Sequence, residues 1–188
     1  MEKTLTVIPD EHRLVAQAVD DPQAFAAIYN HYFPRIFTYI RYRVDEDQTA
    51  DDLTAFVFHR AISHLHKYQS DRALLSAWLF GIARNAVGNH HRRQRRWLWL
   101  PLSFATERSD DALQPEETIL RDEAQEQLLR AVSNLSDRER DLIALKFVSE
   151  MSNREIAQLT HLTESNVGVI LHRALHRLRI ELKEVSDE

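Results

Sequence analysis

The sequence predicts an all-α protein: two small helical domains, the second of them a helix-turn-helix, joined by a flexible linker. Three observations carry that expectation. Only three glycines and five prolines occur in 188 residues, while the helix formers Ala, Leu, Arg, Glu and Gln dominate. Apolar residues recur at helical spacing through most of the chain. The spacing lapses from Trp97 to Glu117, a stretch with Pro101, Pro115 and a Ser/Asp-rich run, which is the composition of a linker. The boundaries expected from this are 1–97, 98–122 and 123–188.

A short helix is expected near Glu11 to Val19. Phe25, Ile28, Tyr29, Tyr32, Ile36 and Ile40 then form one stripe, in which Pro34 predicts a kink or a restart. Thr49 reads as the N-cap of the next helix, lined by Ala50, Leu53, Val57, Ala61 and Leu65. Leu75, Trp78, Leu79, Ile82, Ala83, Ala86 and Val87 mark another, with Trp78 on its buried side. Lys67 to Ser76 lies between these two as a loop able to shape a pocket. Gly81 and Gly88 share a helix face, where the missing side chain admits a close neighbour.

Beyond the linker, helical spacing returns through Leu120, Ala124, Leu128, Ala131 and Leu135. Ser136 with Glu139, and Ser152 with Glu155, have the Ser-x-x-Glu spacing of a capping box, so a helix should begin at each. Thr163 and Ser165 mark a third start. Ser152 to Leu175 reads as a helix-turn-helix, with small Ala157 at the crossing and a turn at His161 and Leu162. Its second helix should bury Val167, Leu171, Ala174, Leu175 and Leu178. The other face carries Ser165, Asn166, Val169, His172, Arg173, His176 and Arg177, which suits a major groove. Spacing alone permits an ordinary αα-hairpin with a solvated basic face equally well.

The net charge of −5 conceals strong segregation. Arg72 to Thr106 holds six arginines and no acid, and Ser165 to Ile180 holds three arginines, two histidines and no acid. Glu107 to Glu126 carries eight acids. Cationic faces can therefore coexist with an acidic total. Cysteine is absent, which removes thiol chemistry and cysteine-rich zinc sites. Met1 to Asp20 has no apolar core of a secretory signal, and no apolar run approaches a membrane span. His172 and His176 stand four apart, as zinc ligands can, but without a third partner of metal-ligand type beside them. Phosphate-loop, dinucleotide and nucleophile-elbow motifs are missing. No cofactor, metal or enzymatic activity is expected.

The residues Leu135-Ser-Asp-Arg-Glu-Arg-Asp-Leu-Ile-Ala-Leu145, Ser152-Asn-Arg-Glu-Ile-Ala157, Asn166-Val and His172-Arg-Ala-Leu-His-Arg-Leu-Arg179 resemble region 4 of bacterial sigma factors. Ala50-Asp-Asp-Leu-Thr-Ala-Phe-Val-Phe-His-Arg-Ala61 resembles the region 2 helix that grips the β′ clamp helices of RNA polymerase. Trp78-Leu-Phe-Gly-Ile-Ala-Arg-Asn85 with His90-His-Arg-Arg-Gln-Arg-Arg96 resembles the element that captures the downstream (−10) promoter element as a single strand. Both lobes in this order resemble a compact extracytoplasmic-function (ECF) sigma factor with no appended regulatory domain. Departures stand at Ala55, Gly81, Asn89 and His161, where the family often has Gln, Arg, Asp and Gly. Gly168, Val169 and Ile170 replace a more basic run.

The resemblance implies a non-enzymatic factor that binds core polymerase, directs it to a promoter and melts the DNA. Asp51, Asp52, Thr54, Ala55 and Phe58 are then the expected polymerase contacts, with the β flap as a second docking point on the enzyme. Lys67, Arg84, Asn85, Asn89, Arg92, Arg93, Arg95 and Arg96 would hold the separated strand, whose backbone needs positive charge and whose bases need pockets. Asn85 and Asn89 fit base edges and solvent equally, and the arginine run fits a solvated helix end. The seven α-helical residues from Ser165 to Arg177 named above would read the upstream (−35) element. The acidic linker would thread toward the polymerase active-site channel. An anti-sigma factor is a further partner the family implies, and the location implied is cytoplasmic, on the nucleoid within holoenzyme, without membrane insertion. The alternative from sequence is a stand-alone helix-turn-helix regulator with a helical sensory lobe.

Overall fold

The computed structural model describes residues 11–71, 73–98 and 119–184. The linker assignment falls mostly outside them. Helices α1 (Glu11–Ala18), α2 (Pro22–Arg41), α3 (Asp47–His64) and α4 (Leu75–Leu98) form the first lobe, with a 3₁₀ turn at Leu65–Lys67 after α3. Helices α5 (Ile119–Ser133), α6 (Asp137–Phe147), α7 (Asn153–Thr160) and α8 (Glu164–Glu184) form the second. Among the described residues there is no strand.

In the first lobe α2 is the central element, packed by α1, α3 and α4. Asp21 caps it by accepting the Gln23 N–H at 2.8 Å, and Pro22 sits in the first turn, where its missing N–H costs nothing. Of the kink or restart expected at Pro34, the restart does not occur. The helix runs through it, and the Thr38 hydroxyl donates to the Pro34 carbonyl at 2.7 Å. The N-cap of α3 is Glu46 rather than Thr49, whose hydroxyl instead donates back to the Glu46 carboxylate. Glu11 joins three elements. One of its oxygens accepts from the Tyr32 hydroxyl and the other from the Leu75 N–H, an otherwise orphaned donor at the start of α4.

Both predicted capping boxes form in the second lobe, at Ser136/Glu139 and Ser152/Glu155. Thr163 accepts from the Asn166 N–H at the start of α8. The turn between α7 and α8 places His161 at φ 58°, the left-handed conformation that closes a helix. Val167, Leu171, Ala174 and Leu178 are buried as expected, while Leu175 is exposed because it falls one residue off that stripe. No described helix is long and apolar enough to cross a membrane.

The two lobes touch. Arg35 of α2 donates to the Val148 and Ser149 carbonyls at 3.1 and 2.7 Å, filling acceptors left open at the end of α6. Arg140 lies 3.7 Å from Asp45, and Arg95 pairs with Asp137 at 2.9 Å. Leu159 of α7 approaches Gly81 of α4, where a Cβ would stand 3.5 Å from its Cδ1. Gly88 has no such neighbour.

Candidate promoter and polymerase interfaces

Helix α4 offers different chemistry on different sides. Its residues Trp78, Gly81, Ile82, Asn85 and Asn89 line a cleft of about 630 Å³ with Phe56, Arg60 and His64 of α3, Lys67, and Leu159 of α7. The cleft walls include three basic side chains and no acid. Trp78, expected as core, is half-buried and lies against Tyr68, ring centres 5.4 Å apart. Tyr68 in turn donates to the Ala73 carbonyl at 2.7 Å and closes the loop before α4. Lys67, Asn85 and Asn89 thus come together as one surface. Arg60, His64 and Phe56 belong to that surface and escape a reading of the sequence, because they lie on α3 among residues assigned to polymerase contact.

Arg84 points away from this cleft, toward the second lobe. Its Nε donates to Asp141 Oδ2 at 2.8 Å. Asp141 Oδ1 accepts from Arg43 Nη1 at 2.5 Å and from the Tyr39 hydroxyl at 2.7 Å. Tyr39 and Arg43 are both buried, and burial pushes the Tyr39 phenol well above its ordinary value, with Asp141 adding to the shift. One carboxylate therefore serves two guanidiniums. Arg92, Arg93, Arg95 and Arg96 are exposed at the far end of α4; Arg92 donates to Asn89 Oδ1 at 2.5 Å.

On α3, Asp51, Asp52 and Ala55 face outward, but Thr54 and Phe58 do not. Thr54 is 1% exposed and its hydroxyl donates to the Ala50 carbonyl; Phe58 is 4% exposed against Tyr29 and Phe33. Neither can form part of a contact surface in this fold. Helical phase explains the correction: Ala50, Thr54, Val57, Phe58 and Ala61 are the inner stripe, and Phe56, 47% exposed, belongs to the outer one.

All seven α8 residues assigned to the upstream element, Ser165, Asn166, Val169, His172, Arg173, His176 and Arg177, are exposed. Arg177 also donates to Glu139 Oε2 at 3.0 Å. Burial alone would raise the Glu139 carboxyl, but the Ser136 hydroxyl and N–H, helped by Arg177, hold it below its ordinary value.

The Sigma-70 region 2 family model matches residues 28–96, and the Sigma-70 region 4 model matches residues 125–178. These spans take in most of α2, all of α3, nearly all of α4 and most of the second lobe. Relatives that match between 84% and 93% of this chain are described as RNA polymerase sigma factors, most of them as ECF sigma factors. The ECF RNA polymerase sigma factor SigM of Bacillus subtilis is 27% identical over 86% of this chain and 97% of its own length. BldN of Streptomyces coelicolor, another ECF sigma factor, is 28% identical over 84% of this chain, which spans only 60% of that protein. The chain belongs to the ECF sigma factors.

A stand-alone helix-turn-helix regulator is not favoured, since both family regions match in order. Two solved structures share the fold of this sigma factor. CnrH, in complex with the cytosolic domain of CnrY, aligns with a TM-score of 0.68 at 21% identity, over 92% of this chain and 96% of CnrH. RpoE of Bartonella quintana, in complex with the anti-sigma factor NepR, gives 0.68 at 22% identity, over 85% and 96%.

Proposed function

We propose that this sigma factor binds core RNA polymerase through the outer face of α3, captures the melted downstream strand along α4, and reads the upstream duplex with α8. The observation that carries the reading is the presence of two exposed basic helix faces, one on each lobe. One is Arg92 to Arg96 beside the Lys67–Asn85–Asn89 cleft; the other is the Ser165–Arg177 side of α8. On α8, Ser165, Asn166 and Val169 stand near the N-terminus, where a recognition helix meets base edges, and Arg173 and Arg177 lie one turn apart nearer the phosphates. On α4, an acid-free cleft with Trp78 and paired asparagines offers stacking and base-edge hydrogen bonds, with the arginine run for the backbone. Asp51, Asp52, Ala55 and Phe56 give α3 an acidic, partly apolar contact face.

The factor works in the cytoplasm, and an anti-sigma protein is its proposed regulator, since RpoE, which shares its fold, was solved with the anti-sigma factor NepR. Run-off transcription with purified core polymerase on genomic fragments tests the reading. Discrete start sites that depend on the added chain are expected. Tight duplex binding by the chain alone, with no effect on core enzyme, would overturn it.

A further inference from the structure

The exposed side of α8 is polar or basic except at its middle. Ser165 stands one turn before Val169, and His172 and Arg173 one turn after it, so the valine lies at the centre of the face assigned to the upstream element. It is 44% exposed, and it carries neither a donor nor an acceptor. Its neighbours along the chain do not supply one. Gly168 has no side chain and is half-buried; a Cβ there would stand 3.8 Å from Asn153 Nδ2, so that side of the helix faces α7. Ile170 packs against the core. Among the described residues, the other large apolar side chains exposed on α8 are Leu175 and Ile180, each more than a turn away. Val169 therefore belongs to no apolar patch of the kind a protein partner covers.

We propose that Val169 reads a thymine: its side chain meets the C5-methyl group of a T·A pair in the upstream duplex, and that apolar contact selects the pair at the middle of the recognition helix. The inference rests on the upstream-duplex role of α8 and deepens it. In the major groove, guanine, adenine and cytosine edges present donors and acceptors, and thymine alone adds an apolar group. A valine pressed against a donor or acceptor strips its water and returns no bond, which disfavours pairs without a methyl group there. Against the thymine methyl, the same side chain removes apolar surface from water on both partners. Asn166 and Arg173 lie about 4.5 and 6 Å along the helix axis on either side of it. They can hold neighbouring edges and phosphates while the valine meets the pair between them. What is recognised is the methyl group rather than the whole base. 5-Methylcytosine carries that group on the same ring carbon, so a methylated cytosine at this step mimics thymine for this contact.

A uracil scan with the full-length chain and core polymerase tests this. On a promoter mapped by run-off, each thymine of the upstream element, on either strand, is replaced singly by deoxyuridine, which removes the methyl group and keeps every donor and acceptor. At limiting holoenzyme, one such replacement is expected to lower product about fourfold, the factor that burial of a single methyl group carries. Val169→Ser, a change at an exposed site, should make thymine and uracil equivalent at that position. Arg173→Ala should lower product from both templates and leave their ratio unchanged. With cytosine at the same position, its C5-methylated form should give more product than the unmodified base. A scan in which no position responds overturns the proposal, as does a uracil effect that survives in Val169→Ser. Either result, with product still dependent on the added chain, leaves the initiation reading standing. No product from any template removes that reading and this proposal together.

Discussion

Among the described residues, His161 and Glu150 are the non-glycine positions with positive φ angles, 58° and 59°. A side chain with a Cβ in that region costs about 1 kcal/mol relative to glycine. His161→Gly should therefore stabilise the second lobe by about that amount, and His161→Val should destabilise it by more, both read from urea denaturation midpoints. The strain at His161 is legible in the sequence, since the turn of a helix-turn-helix fixes where the left-handed residue must sit. Glu150 carries no such signal. It closes α6 through a turn that also presents carbonyls to Arg35, a residue more than a hundred positions earlier.

Single helices match the sequence expectation wherever a side chain bonds its own neighbourhood. Both Ser-x-x-Glu boxes form because serine and glutamate satisfy each other's backbone within one turn. Ser152→Ala should cost about 1 kcal/mol, seen as a lower denaturation midpoint with unchanged slope. The start of α3 lies three residues before the expected cap because Thr49 and Glu46 can each serve there, and only the surrounding chain decides between them. Thr54 and Phe58 depart from expectation for a related reason: a motif names consecutive residues, whereas a surface takes only those on one side of the cylinder. On α8 the phase is legible, apart from Leu175. There, Arg173→Ala combined with Arg177→Ala should weaken promoter-dependent run-off and lower the salt slope of DNA binding by about one unit for each phosphate left without its arginine. Retained transcription with an unchanged slope would leave that face without a duplex role.

The meeting of the lobes is invisible in the sequence. Asp141 lies ninety-eight residues from Arg43 and fifty-seven from Arg84, with no periodicity linking them. The sequence instead suggests basic surfaces held apart by a tether. The seam also has a pH signature at His91. Burial lowers its pKa below the ordinary value, and Arg43, His90 and Arg140 reinforce this against the opposing pull of Asp137. A depressed histidine favours the folded chain while neutral. That contribution is complete above about pH 6.5 and is lost as pH falls through the lower folded value. Thermal stability should decline on acidification from neutrality toward about pH 5.5, and His91→Gln should flatten the response. Gly81 sets a separate requirement, one of room rather than charge. An alanine fits beneath Leu159 at ordinary contact distance, but the arginine frequent there in the resembling family would need to thread its whole length through space that α7 already fills. Gly81→Arg should thus prop the two halves ajar and lower the thermal midpoint, so the meeting of the lobes turns on the absence of a side chain as much as on the presence of a carboxylate.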